Sequence, residues 1–384
     1  MKVLFITRHY LDEMLGGPNC SKAFVRAVAN IFSDTTLIYP EHNDTKSNLS
    51  FLKVNENSHL NLIPMYDKRS KLKKLVDIYR GRLHRFSPFV KDYLRSNTFD
   101  IIFIDHSFTA SSGVIEAARK NGAKIITFHH NVEKQYFKDN HPNILYRLPY
   151  LYYALRAERQ AIKYSTINFT LTQDDQKTFS TIYPESATSF HTLGVFEYED
   201  ADTHQVSVEE GLKFIISGSM SAMQTETAVL DFLDNYMPIL SEMYPQACLT
   251  ITGRNPSEYI RTKASKFSNV TILANPEDLT SEVVKGNYYI CPLATGGGLK
   301  LRCLDALRVG LPIIAQKLST RGYESIVKEG YMLPYSTPKE FSEALKKITA
   351  LHNVHTNVVK SYKASFSFKQ GMKRLQNILK EEIK

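Results

Sequence analysis

A chain of 384 residues with 48 Lys/Arg against 39 Asp/Glu, 43% hydrophobic and 23% charged, has a globular composition and is too long for one ordinary domain. No run reaches the ~18–20 apolar residues that a membrane-spanning helix needs, so such a helix is excluded. Cys20, Cys248, Cys291 and Cys303 show no C-x-x-C spacing, and neither they nor the 12 histidines form a metal-ligand pattern; the thiols read as reduced and structural in a cytosolic protein.

Taken in order, the chain begins with an apolar run at 2–7, too short for a secretory signal and readable as a buried strand. Further strands are expected at 35–39, 100–105, 123–128 and 166–171, with helices at 21–32, 110–121 and 151–163 between them. Between the second and third strands the charge is concentrated. Residues 68–95 hold ten Lys/Arg against Asp77 and Asp92. There Leu72, Leu75, Val76, Tyr79, Leu83 and Phe86 recur at helical spacing, which reads as a basic amphipathic helix for an anionic membrane surface, with the solvated face of an ordinary surface helix as the plainer alternative. No nucleic-acid-binding motif accompanies it, so nucleic acid is not the expected partner. The aromatic stretch 136–153 suits either an interface, a binding groove or the core.

After a polar stretch at 197–210 the pattern restarts. Strands at 213–217, 247–252, 269–273, 288–293 and 311–315 alternate with helices at 225–240, 257–267, 299–308 and 338–349, and 366–384 forms a last charged helix. Asp200-x-Asp202 has the look of a metal-nucleotide motif but falls in the polar linker, where it reads as solvated loop. Two β-α-β arrays imply two doubly wound parallel sheets, each binding ligands at the carboxyl ends of its strands. The expected division is 1–200, 205–365 and a helix at 366–384 that returns to the first domain, with an active site in a cleft between the domains.

Candidate site residues lie just after strands. Gly16-Gly17-Pro18 precedes the first helix, where glycine amides can face a phosphate or sugar. Asp105-His106 and His129-His130-Asn131-Val132-Glu133 place imidazoles, an amide and carboxylates at strand ends. His130 could steady a sugar hydroxyl or phosphate, with Glu133 orienting it. In the second half, Gly218-Ser219-Met220 and Gly253-Arg254 end two strands, and Arg254 could grip a phosphate or stack on a base.

The densest signal is 292–312, P-L-A-T-G-G-G-L-K-L-R-C-L-D-A-L-R-V-G-L-P. A buried strand, three glycines and a helix N-terminus make an anion site from backbone N–H groups and the helix dipole. With the helix starting at Leu299, Lys300 and Arg302 stand in its first turn, unfavourably for the dipole, and a bound diphosphate would resolve that conflict. A glycine turn before a core helix is the plainer alternative. Asp305 shares a helical face with Arg302 and could pair with it, or accept from a ribose hydroxyl.

Together these stretches resemble the family 4 retaining glycosyltransferases of the GT-B fold, two facing Rossmann-like domains. The stretch 296–312 is similar to the subgroup pattern G-x-G-x-R-x-K-x-L-E-A-x-x-x-G-x-P, with Lys300 at its Arg, Arg302 at its Lys and Asp305 at its Glu. The resemblance implies sugar transfer from a UDP- or GDP-linked donor, with retention, without a metal or other cofactor. It implies that Gly298, Leu299 and Lys300 hold the diphosphate, that Asp305 contacts the ribose and that Ser219, Arg254 and Arg302 line the donor site. Gly17 would border donor phosphate or acceptor. His130 would face the transferred sugar, so His130 and Lys300 are the catalytic candidates. His106, Asn131 and Glu133 fall on the acceptor side. Many members carry an E-x7-E pair; here Gly297 occupies the first position and Asp305 the second. The expected setting is the inner membrane face in bacterial polysaccharide synthesis, with a lipid-linked or surface-glycan acceptor. A nucleotide-sugar epimerase or a non-catalytic partner of the same fold are the alternatives.

Overall fold

The computed structural model describes the chain except residues 14–15, 68, 71, 74–75, 78–84, 141–143, 200–210, 297, 352–353 and 384, and describes the backbone alone at 138–140 and 144–149. The chain divides into two compact units, Met1–Asp200 with Ser367–Lys384, and Ala201–Phe366.

The first unit is built on β1 (Lys2–Ile6), β2 (Asp34–Glu41), β3 (His59–Tyr66), β4 (Ile101–Asp105), β5 (Lys124–Phe128), β6 (Ile167–Thr170) and β7 (Phe190–Thr192). They form a parallel sheet in the order β3-β2-β1-β4-β5-β6-β7. Helices cover both faces, so central strands read as unbroken apolar runs; Val3 to Ile6 and Ile102 to Ile104 are fully buried. Phe5, Phe103, Phe128 and Phe169 carry rings across β1, β4, β5 and β6 with neighbouring centroids 5.1–6.1 Å apart. Burying each such ring contributes roughly 1.5–3 kcal/mol.

The second unit holds β8 (Lys213–Ser219), β9 (Cys248–Arg254), β10 (Val270–Ala274), β11 (Tyr288–Cys291), β12 (Ile313–Gln316) and β13 (Met332–Tyr335), also parallel, in the order β10-β9-β8-β11-β12-β13. Phe214, Ile216, Leu249, Ile251 and Ile290 from its strands pack with Phe232, Leu233 and Phe341 from covering helices.

Three strands escape sequence reading: β3, β7 and β13. Two of them are edge strands that carry a proline, Pro64 in β3 and Pro334 in β13, and so lack the uninterrupted apolar run of a central strand. The expected helix at 21–32 begins earlier, as α1 (Gly16–Ile31), so the glycine pair lies in its first turn and not before it. The expected helix at 299–308 begins later, at Arg302. The expected helix at 225–240 is two, Met223–Asn235 and Met237–Met243, parted at Tyr236 before Pro238.

Candidate functional site

Strand order reverses between β1 and β4 in the first sheet and between β8 and β11 in the second, and open parallel sheets bind ligands beside such reversals. Each unit carries a cluster of polar groups there.

In the first unit the hub is Asp105, the last residue of β4, which is fully buried. Its Oδ2 accepts from Thr7 Oγ1 and from Ser21 Oγ, each at 2.6 Å, and its Oδ1 accepts from His130 Nε2 at 2.7 Å. Ser21 gives its one proton to Asp105, so His9 Nδ1, 2.7 Å from Ser21 Oγ, is the donor in that pair. His9 Nε2 is therefore left as an acceptor. It faces Gly17, where a Cβ would stand 3.2 Å from it, so a larger residue at Gly17 would crowd this face. Burial lowers the His9 pKa, keeping the ring neutral at pH 7.

His106 and His130 lie 5.4 Å apart, and His9 lies 5.8 and 5.1 Å from them. His106 sits at φ +74°, a left-handed conformation held by its Nδ1 accepting from Phe108 N. Its Nε2 is 3.7 Å from Glu133 Oε1, which also accepts from Ser107 Oγ at 2.9 Å. Glu133 N donates to Glu158 Oε2, and Tyr183 OH donates to Glu158 Oε1, both at 2.9 Å. Burial and the neighbouring Glu158 push the Glu133 carboxyl up to about 8, while burial raises Glu158 to about 7. Asn131 is half-buried between His130 and Glu133 along the chain.

His9, Asp105 and His130 offer ligand atoms within 4.8 Å of one another, a donor set that transition metals accept. Both Asp105 oxygens take short hydrogen bonds here, from Thr7, Ser21 and His130. Sequence reading singled out His106, His130 and Glu133 but passed over His9 and Ser21. The available signal was Arg8-His9-Tyr10 directly after β1.

In the second unit, β8 and β9 end side by side. A Cβ on Gly253 would stand 1.8 Å from Gly218 O, so only glycine fits. Ser219 and Arg254 are register neighbours just beyond, both exposed, and Met220 N donates to Arg254 O. The loop after β11 turns through Gly296 at φ +92° and Gly298 at φ +73°. Lys300 Nζ donates back to Gly296 O at 2.8 Å, closing the loop, while Lys300 O accepts from Tyr323 OH at 2.9 Å. Ser319 Oγ ties Leu293 O at 2.7 Å. Lys300 thus precedes the helix, contrary to the expected first-turn position, and the dipole conflict falls on Arg302 alone. That residue resolves it locally. Its guanidinium donates to Ser217 O and Thr225 Oγ1, each at 3.0 Å, beneath the end of β8. Asp305 pairs with Arg308 NH2 at 2.9 Å, not with Arg302. Gly297, the first position of the acid pair considered above, lies outside the described residues.

All four cysteines are free thiols. The basic stretch 68–95 falls partly outside the described residues. Of its cations, Arg69 binds Asp67 and Asp77, Arg85 lies over Tyr10, and Arg95 pairs with Asp92; Leu72 is 72% exposed. Among the described residues no helix is long and apolar enough to cross a membrane.

Two parallel-sheet α/β units in this chain order make the GT-B fold, the architecture of a large class of glycosyltransferases. Residues 212–350, nearly the whole second unit, match the family model described as glycosyl transferases group 1. Across the full length the chain is similar to Anabaena HepE, solved with UDP and glucose, at 12% identity and TM-score 0.60 over 99% of both chains. It is similar to the lipopolysaccharide outer core galactosyltransferase WaaB, at 12% identity and TM-score 0.63 over the whole of both. A trehalose-phosphate synthase of Burkholderia vietnamiensis matches at 9% identity and TM-score 0.63 over 100% of this chain and 99% of that one. No curated protein sequence matches the chain. The glycosyltransferase resemblance read from 296–312 therefore holds for the fold and for the unit that carries that stretch.

Proposed function

We propose that this protein is a retaining glycosyltransferase that takes a UDP- or GDP-linked sugar on its second unit and transfers the sugar to a lipid-linked or surface-glycan acceptor bound on its first. The observation that carries this reading is the loop from Gly296 to Lys300, set beside the strand-order reversal of the very unit that matches a glycosyltransferase family. HepE holding UDP and glucose on the same fold supports the donor class.

As the bond to the diphosphate breaks, negative charge grows on its oxygens. Loop amides and the Lys300 ammonium stabilise that charge, the kind of preorganised electrostatics that often dominates catalysis. Arg302 acts indirectly, by fixing the end of β8 under the loop. Ser219 and Arg254, side by side at the ends of β8 and β9, contact the nucleotide, and Asp305 accepts from its ribose. On the first unit, His130 is fixed by Asp105 and faces the transferred sugar, and His9 Nε2 accepts from an acceptor hydroxyl. His106, Asn131 and Glu133 support that wall. No metal enters this chemistry. The cations of 68–95 other than Arg69 and Arg85 hold the protein against anionic lipid at the inner face of a bacterial membrane, where polysaccharide precursors are assembled.

Calorimetric binding of UDP, GDP, ADP and CDP tests the donor site. One nucleotide at a hundredfold excess over its Kd should stabilise the protein by about 2.7 kcal/mol, and Lys300→Ala should weaken it tenfold or more. Failure of all four nucleotides to bind would sink the reading. Turnover of the matching nucleotide sugar without any acceptor, giving an altered donor sugar, would favour an epimerase.

A further inference from the structure

Two arginines at the carboxyl edge of the first sheet have no part in the donor chemistry. Arg8 follows β1, and its Cζ stands 5.0 Å from the centroid of the buried Phe108 ring. Arg85 Cζ stands 4.9 Å from the Tyr10 ring, which itself stacks on His42 at 4.2 Å. Each guanidinium thus has an aromatic support for one face, which leaves its N–H edge for a ligand.

The surrounding acids do not neutralise the pair. Asp67 and Asp77 bind Arg69, and Asp67 also pairs with Arg85 NH1 at 3.7 Å, so with Arg8 two carboxylates face three arginines. Asp12 lies 3.3 Å from His42 Nε2. Arg8 makes no hydrogen bond or ion pair among the described residues. Glu133, within electrostatic reach of Arg8, is largely protonated at neutral pH because burial raises it to about 8. Burial pushes the Arg85 guanidinium down; Tyr10 and Asp67 oppose this, and the positive charges of Arg8 and Arg69 add to it. Two partly buried like charges held in reach of one another are costly without an anion, and a charged ligand would offset that cost.

We propose that Arg8 and Arg85 form an anion subsite that grips a phosphate on the acceptor, so that the acceptor is a sugar carrying a phosphate or pyrophosphate group. This rests on the reading of the first unit as the acceptor side. The same chemistry serves a soluble sugar phosphate and a lipid-linked pyrophosphoryl sugar, and the two sources are separated by experiment.

The test is titration calorimetry on the full chain with glucose, glucose 6-phosphate and a short-chain prenyl pyrophosphoryl glucose. The phosphorylated probes should bind at least about tenfold tighter than glucose, and less tightly as salt rises. Arg8→Gln and Arg85→Gln should each cost about tenfold in probe binding while leaving UDP or GDP binding intact, which also reports that the variants fold. Arg8→Lys, keeping the charge but not the fork, should lose less. Lys300→Ala should show the reverse pattern, losing nucleotide and keeping the phosphorylated probes. Tighter binding of the pyrophosphoryl probe identifies the lipid-linked source, and tighter binding of glucose 6-phosphate the soluble one; either supports the subsite. Equal binding of glucose and its phosphate, indifference of the probes to both arginine variants, or loss of the probes in Lys300→Ala would overturn the subsite. A native protein that binds nucleotide but no phosphorylated probe overturns it as well and leaves the donor reading standing. A native protein that binds the probes through Arg8 but no nucleotide fails the donor reading alone.

Discussion

Two buried carboxyl groups in the first unit show how neighbours decide protonation. Burial pushes the Asp105 carboxyl up, yet the charge of His130 and its hydrogen bond, first among the opposing influences, hold it well below the usual range. Glu133 is as buried, but its neighbour is Glu158 and only Ser107 and the distant Arg8 oppose the shift, so it rises to about 8. The first group serves as a fixed anion that orients imidazoles; the second is a neutral wall. Linkage gives the pH consequence. A group with a raised folded pKa contributes stability that is complete below its unfolded value, near 4.5, and is lost as pH rises through about 8. Glu158, raised to about 7, acts in the same direction. The two acids should therefore lower the melting temperature from pH 7 to pH 9, above the range in which the lowered His9, His106 and His129 act in the opposite direction, and Glu133→Gln should flatten that decline in part. Thermal melts across this range check it, and parallel slopes for the two proteins would contradict the assignment.

At the scale of elements, close approach dictates where glycine stands. The helix Phe368–Glu382 lies on Phe196 of the same unit, and a Cβ on Gly371 would stand 1.9 Å from the Phe196 Cγ. Phe196 is 4% exposed and has no room to retreat. Gly371→Ala should destabilise the first unit by about 2–3 kcal/mol, despite the higher helix propensity of alanine. Urea unfolding measures this; a neutral or stabilising effect would mean that the helix can shift on Phe196. In the second unit Gly218 and Gly253 act alike, since their bare backbones let β8 and β9 end together while Arg302 fills the space over Gly218.

At the scale of the whole molecule the chain visits the first unit twice. Residues 367–384 belong with residues 1–200, held by Arg374 donating to Leu193 O and Val195 O and by Arg26 over the Phe368 ring. Removing them should lower the melting temperature of the first unit and strip protection there. The second unit, whose core of Phe214, Ile251, Phe232 and Phe341 includes none of these residues, should still be stabilised by nucleotide. Calorimetry of the truncated chain with and without nucleotide, with hydrogen exchange to place the loss, checks both halves of this expectation. A protection loss spread evenly over both units would contradict it.

The central strands, the two α/β arrays and the glycine loop of 296–300 were legible because each is a local pattern: apolar runs of strand length, alternation with helical spacing, and residues tied to left-handed φ. Edge strands β3 and β13 were not, since exposure and proline erase the run that marks a buried strand. Helix starts at Gly16 and Arg302 also escaped, because glycine there and basic residues beside the loop carry no strong capping signal. The cluster around Asp105 was the least legible. Thr7, His9, Ser21, Asp105, His106 and His130 come from β1, α1, β4 and β5 and the turns after them, and only parallel register brings those strand ends together. Sequence by itself determined which residue types stand at strand ends. The tertiary structure decided which of them share a proton network, because hydrogen bonding and desolvation depend on distances of a few ångströms that no local spacing encodes.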